Sequence, residues 1–345
     1  MSETSPRPDH QPGLRSLVAP YENAKPRESG VQIGTSIGLF LAICATMYWS
    51  LTFSYLLTLA LALPAAGVLV RVFVVQHDCG HGAFFRSRRA NDLVGMVCSV
   101  LTFTPYAQWR RHHNQHHGTW NNLDRRDSTT DIYSGCMTVA EYQALSAWGR
   151  FKCRVVRHPI LAHLIIPPLV FLFIYRVPFE TPKSWARERR SVYWTNLAIL
   201  AVLGTLMLCF GFWQVLLVQV PIVALTSMIG VGLFSLQHRY DDVLWARQSE
   251  WNATTAALQG SSYFKLPRWL QWFTGNIGFH HVHHLSPRVP NYRLEACHNA
   301  IPTLQTAKIL NWRDGVKAVR LMLWDEAERR MVSFKEVRRA GAVRG

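Results

Sequence analysis

The chain has 345 residues, 49% of them apolar and only 17% charged, and carries a formal net charge of +16. Soluble globular domains carry roughly 25% charged residues, so composition argues against an ordinary soluble protein, while the length suffices for one large domain or two small ones. The positive charge is not arranged as on a nucleic-acid binder: it sits in three segments separated by two uncharged stretches.

Residues 1–30 are polar and proline-rich and lack the cationic, apolar and small-residue sections of a signal peptide. They read as a disordered cytosolic tail. From Ser29 to His77 the only charged side chain is Arg71, and from Ser191 to His238 there is none. About 20 apolar residues cross a bilayer core, so each stretch accommodates two passes. Spans are expected near 32–51, 54–76, 192–211 and 213–236, with turns at Trp49–Ser54 and around Gly211. Neither turn contains Lys or Arg, whereas the tail, the 86–190 region and the C-terminal third hold nearly all of them. The positive-inside rule therefore puts those three segments, and both termini, in the cytoplasm. The cysteines at 44, 79, 98, 136, 153, 209 and 297 are scattered, odd in number and without a CxxC pair, which fits free thiols rather than a disulfide framework.

Ten of the fifteen histidines fall into three short clusters, eight of them at the spacing that suits metal ligation from a helix. HDCGH holds His77 and His81; HHNQHH holds His113, His116 and His117 behind His112; HHVHH holds His280, His283 and His284 with His281 between them. Residues three and four apart share a helix face, so each cluster aims two or three imidazoles at one point. Neutral imidazole is the commonest metal ligand and suits iron, zinc, copper or nickel. A ninth candidate, His238, stands at the cytosolic end of the fourth span, at the same membrane face as His77. Nine nitrogens exceed what one ion accepts, so two metal ions are implied. Neutral ligands leave the metal charge uncompensated, which calls for carboxylates behind them; Asp78, Asp124, Asp127, Asp131, Asp241 and Asp242 lie near the clusters in sequence. His112 and His281 are off the shared faces and stand, with Asn276, as residues supporting the ligands rather than ligands.

Residues 93–108 and 160–175 are also apolar. A single crossing by either would leave the clusters on opposite sides of the membrane. Both are short, and Pro167–Pro168 interrupts helical bonding in the second. They are expected to be interfacial or buried helices. The fold class that follows is all-α: four transmembrane helices in two hairpins beneath a cytosolic helical cap holding a His-rich dimetal site. The organisation expected is a tail over 1–30, the membrane domain with its cap over 31–300, and a basic helical tail over 301–345.

HDCGHGAFF, HHNQHHGTWNNLD and GNIGFHHVHHLSPRVPNY, in this order across about residues 30–300, resemble the membrane fatty acid desaturase family, most closely its acyl-lipid delta-12/omega-6 type. Position by position, the resemblance implies His77, His81, His113, His116, His117, His280, His283 and His284 as iron ligands, with His238 as the isolated extra one. It implies a non-haem di-iron centre (two Fe ions) that uses O2 on a membrane-lipid acyl chain, with no catalytic residue beyond the metal centre. Electrons would come from ferredoxin or cytochrome b5, since the chain has no nucleotide fingerprint of its own. The acyl chain needs an apolar tunnel, for which Phe84, Phe85, Trp109, Trp120, Trp269, Trp272 and Phe273 are candidates. Arg110, Arg111, Arg125 and Arg126 are candidates for holding a lipid headgroup or an acidic donor. Ligand spacing alone leaves two alternatives: a di-iron fatty acid hydroxylase or carotenoid ketolase or hydroxylase, and, more remotely, a His-rich metal transporter. Transporters place ionisable residues near the membrane midplane, and these spans hold almost none.

Overall fold

The structure, a computed structural model, describes residues 13–126 and 133–343. Helix α1 (Leu14–Val18) leads through a 3-10 turn into α2 (Pro26–Ser50), which opens on a proline, where the missing N–H is no loss. Helix α3 (Tyr55–His81) starts at Ser54, whose hydroxyl accepts the Leu57 N–H, and stops at Gly82, whose φ of +70° is the left-handed conformation glycine adopts freely. The first histidine cluster is therefore the last turn of a spanning helix.

Next come α4 (Arg88–Leu101) and α5 (Tyr106–Thr119), the latter carrying the whole second cluster, then β1 (Met137–Thr138), α6 (Val139–Ala144), α7 (Ala147–Val156) and α8 (Ile166–Leu172). The second long hairpin is α9 (Ala186–Phe210) and α10 (Phe212–His238), which turn at Gly211 with φ +97°. The cap continues with α11 (Ala253–Gln259), β2 (Tyr263–Phe264), α12 (Arg268–Phe273), α13 (His280–Leu285) and α14 (Asn291–Ala300). The chain ends with β3 (Ile309–Leu310), α15 (Trp312–Ala318), β4 (Leu323–Asp325), β5 (Arg330–Val332) and α16 (Phe334–Val343).

Among the described residues, α2, α3, α9 and α10 are long and apolar enough to cross a membrane. At 25 or 27 residues each, they extend roughly 38–40 Å at about 1.5 Å per residue, beyond a bilayer core of about 30 Å. The surplus of α3 and α10 carries His77, His81 and His238 out toward the cap. The first hairpin is closed by a 2.7 Å hydrogen bond between the Ser50 and Thr58 hydroxyls. Arg71, the only charged side chain between Ser29 and His77, donates to the Ser36 hydroxyl and the Trp272 carbonyl, with its guanidinium 4.4 Å from the Trp272 ring centre.

Four expectations are refined by the structure. The 93–108 stretch is two helices, α4 and α5, broken before Pro105 where Phe103 takes φ +58°. The 160–175 stretch is bent 51° from α7 and packs on α10 through α8. The tail expected over 1–30 is ordered from Leu14 onward. Val18 is fully buried among Val282, Leu294 and Leu304, and Arg293 donates to the carbonyls of Pro20 and Asn23. Residues 1–12 lie outside the described part. Nor is 301–345 a separate tail: β3 pairs in parallel with β2 (Tyr263↔Ile309), and β4 with β1 (Met137↔Leu323) while β5 flanks it antiparallel. Leu323, Trp324 and Met331 are buried, so this segment is wall material of the cap. The two small sheets add to a mostly helical chain without changing its class.

Candidate metal centre

Four helices deliver nine histidines to one place: α3 brings His77 and His81, α5 brings His113, His116 and His117, α10 brings His238, and α13 brings His280, His283 and His284. They sort into two groups. His77, His81, His113, His117 and His283 form the first, and His116, His238 and His284 the second; within each, one ring nitrogen per residue lies within 4.8 Å of all the others. His280 joins the second, its Nε2 3.0 Å from that of His238.

The close nitrogen contacts are not explained by hydrogen bonding. His238 Nδ1 is 2.6 Å from the Phe234 carbonyl oxygen, which only accepts, so the proton is on Nδ1 and Nε2 carries a lone pair. Yet three other Nε2 atoms face that lone pair, those of His116 and His280 at 3.0 Å and His284 at 2.9 Å. In the first group, His117 Nε2 is 3.2 Å from His113 Nε2 and 3.0 Å from His283 Nε2. Two nitrogens each about 2.1 Å from one ion and at right angles to each other stand roughly 3.0 Å apart. His81 Nε2 is buried with no partner, a costly arrangement unless something else takes its lone pair. The donor set therefore fits two metal ions.

Burial, and then the neighbouring histidines, hold His113, His117, His280, His283 and His284 well below the usual imidazole pKa. These rings stay neutral at neutral pH, the form that binds metal. Behind the first group, His77 Nδ1 donates to Asp78 Oδ1 at 3.0 Å. Asp78 Oδ2 accepts from the Asn291 backbone N–H at 2.6 Å and its side-chain amide at 2.8 Å, and Asn291 Oδ1 accepts from Gln32 at 3.0 Å. One buried carboxylate thus ties α3 to α14 and, through Asn291, to α2. Behind the second group, His116 Nδ1 lies 3.2 Å from the Ser134 hydroxyl.

The remaining candidates lie elsewhere. Asp124 is paired with Arg247 at 2.6 Å, Asp242 with Lys308 at 2.8 Å, and Asp241 is exposed. These three carboxylates do not stand behind the histidines, because the loops carrying them turn outward. Asp127 and Asp131 fall outside the described residues. His112 lies beside Trp185, ring centres 5.4 Å apart, and His281 is buried with its Nε2 3.0 Å from His298 Nδ1. Neither joins a group. Asn276 takes φ +56° in the turn before α13. Asn291, Gln32, Ser134 and the Phe234 carbonyl were not anticipated. Of these only Gln32, an isolated amide in an apolar span, left a sequence signal.

A cavity of about 780 Å³ reaches the centre, within the roughly 300–1,000 Å³ of small-molecule sites. His77, His113, His116 and His280 stand at its metal end, and Val70, Phe73, Val170, Phe171, Val231 and Phe234 line its bore between α3, α8 and α10. Of the aromatic residues expected to line it, only Trp109 and Trp120 do. Phe84 and Phe85 pack on each other and Phe84 on Tyr292; Trp272 lies under Arg71, Phe273 against Gly67, and Trp269 is exposed.

Residues 50–313 match the family described as Fatty acid desaturase, a span that holds all nine histidines. The chain belongs to that family. It is accordingly an oxidoreductase acting on lipid. Over 328 residues, 95% of this chain and 92% of the other, it is 40% identical to a protein of Bacillus subtilis (strain 168) named fatty acid desaturase. It is 28% identical over 275 residues to the sn-1 oleoyl-lipid 12-desaturase of Anabaena variabilis, covering 77% of this chain and 73% of that one. To the chloroplastic omega-6 fatty acid desaturase of Spinacia oleracea it is 25% identical over 278 residues, 77% of this chain and 57% of that one. In this desaturase the apolar cavity and the two histidine groups meet at one point, at the cap end of the spanning helices.

Proposed function

We propose that this desaturase uses two iron ions and O2 to introduce a cis double bond into an acyl chain of a membrane lipid, one that is already mono-unsaturated. The observation that carries the reading is the apolar bore ending on His77, His113, His116 and His280. Such a bore takes an uncharged chain and excludes water from the reacting carbons. The mono-unsaturated substrate is supported by the names of the oleoyl-lipid relatives alone. Iron, when bound, supplies the redox chemistry that lets O2 take hydrogen from unactivated carbon. The nine histidines would hold it through ring nitrogens, and Asp78 keeps the proton of His77 on Nδ1 so that Nε2 faces inward.

In balance, –CH2–CH2– and O2 with two electrons and two protons give –CH=CH– and two waters. Two of the four electrons that reduce O2 come from the substrate and two from an external donor such as ferredoxin or cytochrome b5. The histidine groups and both termini face the cytoplasm in this reading. Cysteine labelling at Trp49–Phe53 and at Gly211–Trp213 then reports the opposite face, and cytoplasmic labelling of either turn overturns the orientation. The function itself is tested by expression in a host without polyunsaturated lipids, followed by mass spectrometry of its fatty acids. New doubly unsaturated chains are expected; hydroxylated lipids or oxidised carotenoids as sole products would instead assign a hydroxylase or ketolase.

A further inference from the structure

A second depression, of about 680 Å³, is polar where the first cavity is apolar, and of the nine histidines it reaches only His81. Its walls carry Arg86, Arg88, Arg110 and Arg111 against two acids, Asp92 and Glu188. Both acids are already matched: Asp92 pairs with Arg110 at 2.6 Å and Arg187 at 3.4 Å, and Glu188 with Arg111 at 3.2 Å. Arg86 and Arg88 are exposed and make no ion pair among the described residues. Arg88 and Arg89 also open α4, whose first turn contains no acid. The helix dipole disfavours cations there, so these charges do not serve the helix. A membrane-facing distribution of arginine would not require them to gather around a recess that a member of the first histidine group lines.

We propose that this depression is the docking surface of a small acidic one-electron carrier protein, and that His81 is the residue through which its electrons reach the metal centre. The proposal rests on the desaturase reading, whose balance requires two electrons from outside. Unmatched positive charge around a recess steers an acidic partner to it and fixes its orientation. The recess also gives the carrier a route to the centre separate from the cavity that takes the acyl chain.

The test uses the full-length, iron-loaded protein and compares turnover driven by a reduced acidic [2Fe–2S] ferredoxin with turnover driven by dithionite. In Arg86→Glu/Arg88→Glu the ratio of ferredoxin-driven to dithionite-driven kcat/KM is expected to fall by about tenfold or more, and its salt dependence to flatten. Arg86→Lys/Arg88→Lys should restore most of the ratio, and Arg313→Glu/Lys317→Glu on α15 should leave it unchanged. The proposal is overturned if the ratio is unaffected, or if both rates fall together with iron content, which marks a structural role. It is equally overturned if the Glu variant loses only its binding to vesicles of anionic phospholipid, which marks a headgroup site. Absence of turnover with either reductant in the unaltered protein would count against the desaturase reading and not against this surface.

Discussion

His77 in the first histidine group has a buried carboxylate behind it, whereas His238 in the second has only a backbone carbonyl. Both partners set the tautomer, because each accepts the Nδ1 proton and leaves Nε2 as the lone-pair donor. Only the carboxylate also offsets metal charge and raises ligand basicity. The second group is instead organised around a single nitrogen: His238 Nε2 lies within about 3 Å of three others. The first group should therefore be sensitive to what stands behind it, and the second to its central member.

The largest effect should come from the centre of the second group. His238→Ala is expected to abolish turnover as fully as His113→Ala or His283→Ala, measured as unsaturated product per chain. His112→Ala and His281→Ala, outside both groups, are expected to retain bound metal. Full activity in His238→Ala together with loss of metal and activity in His112→Ala would reverse the ligand assignment. A smaller effect is expected from Asp78→Asn, which keeps shape but removes the charge behind His77: roughly a 10–100-fold loss in metal affinity or activity, read by titrating the metal-free protein with ferrous iron. A change below about threefold would mean that the carboxylate fixes the helices and not the ligand.

The sequence was most legible where chemistry is local. Uncharged runs located the four spans to within a few residues except at their cap ends, because α2 and α9 begin among charged residues and α3 runs on into the first histidine cluster. Spacing and position alone picked out the nine histidines now seen together. Asp78 could be found because it is next to His77, but Asn291, its partner in α14, is 213 positions away. The same distance in sequence hid the sheets. Strands of two or three residues carry no alternation to read, and Met137 pairs with Leu323 only because the C-terminal segment folds back over the cap. The cavity wall was misjudged for a related reason. Of the seven aromatic residues expected there, Phe84, Phe85, Trp269, Trp272 and Phe273 pack outward or into the core and only Trp109 and Trp120 line the cavity. The bore runs between α3, α8 and α10, whose meeting is a tertiary event.

The most direct test of the central claim, that nine histidines in two groups hold two iron ions, is a metal count per chain on protein purified without oxygen and loaded with ferrous iron. Two irons per chain are expected in the unaltered protein, with a loss of at least one in His238→Ala and none in His281→Ala. One metal per chain in a fully active protein, or two in His238→Ala, would contradict it.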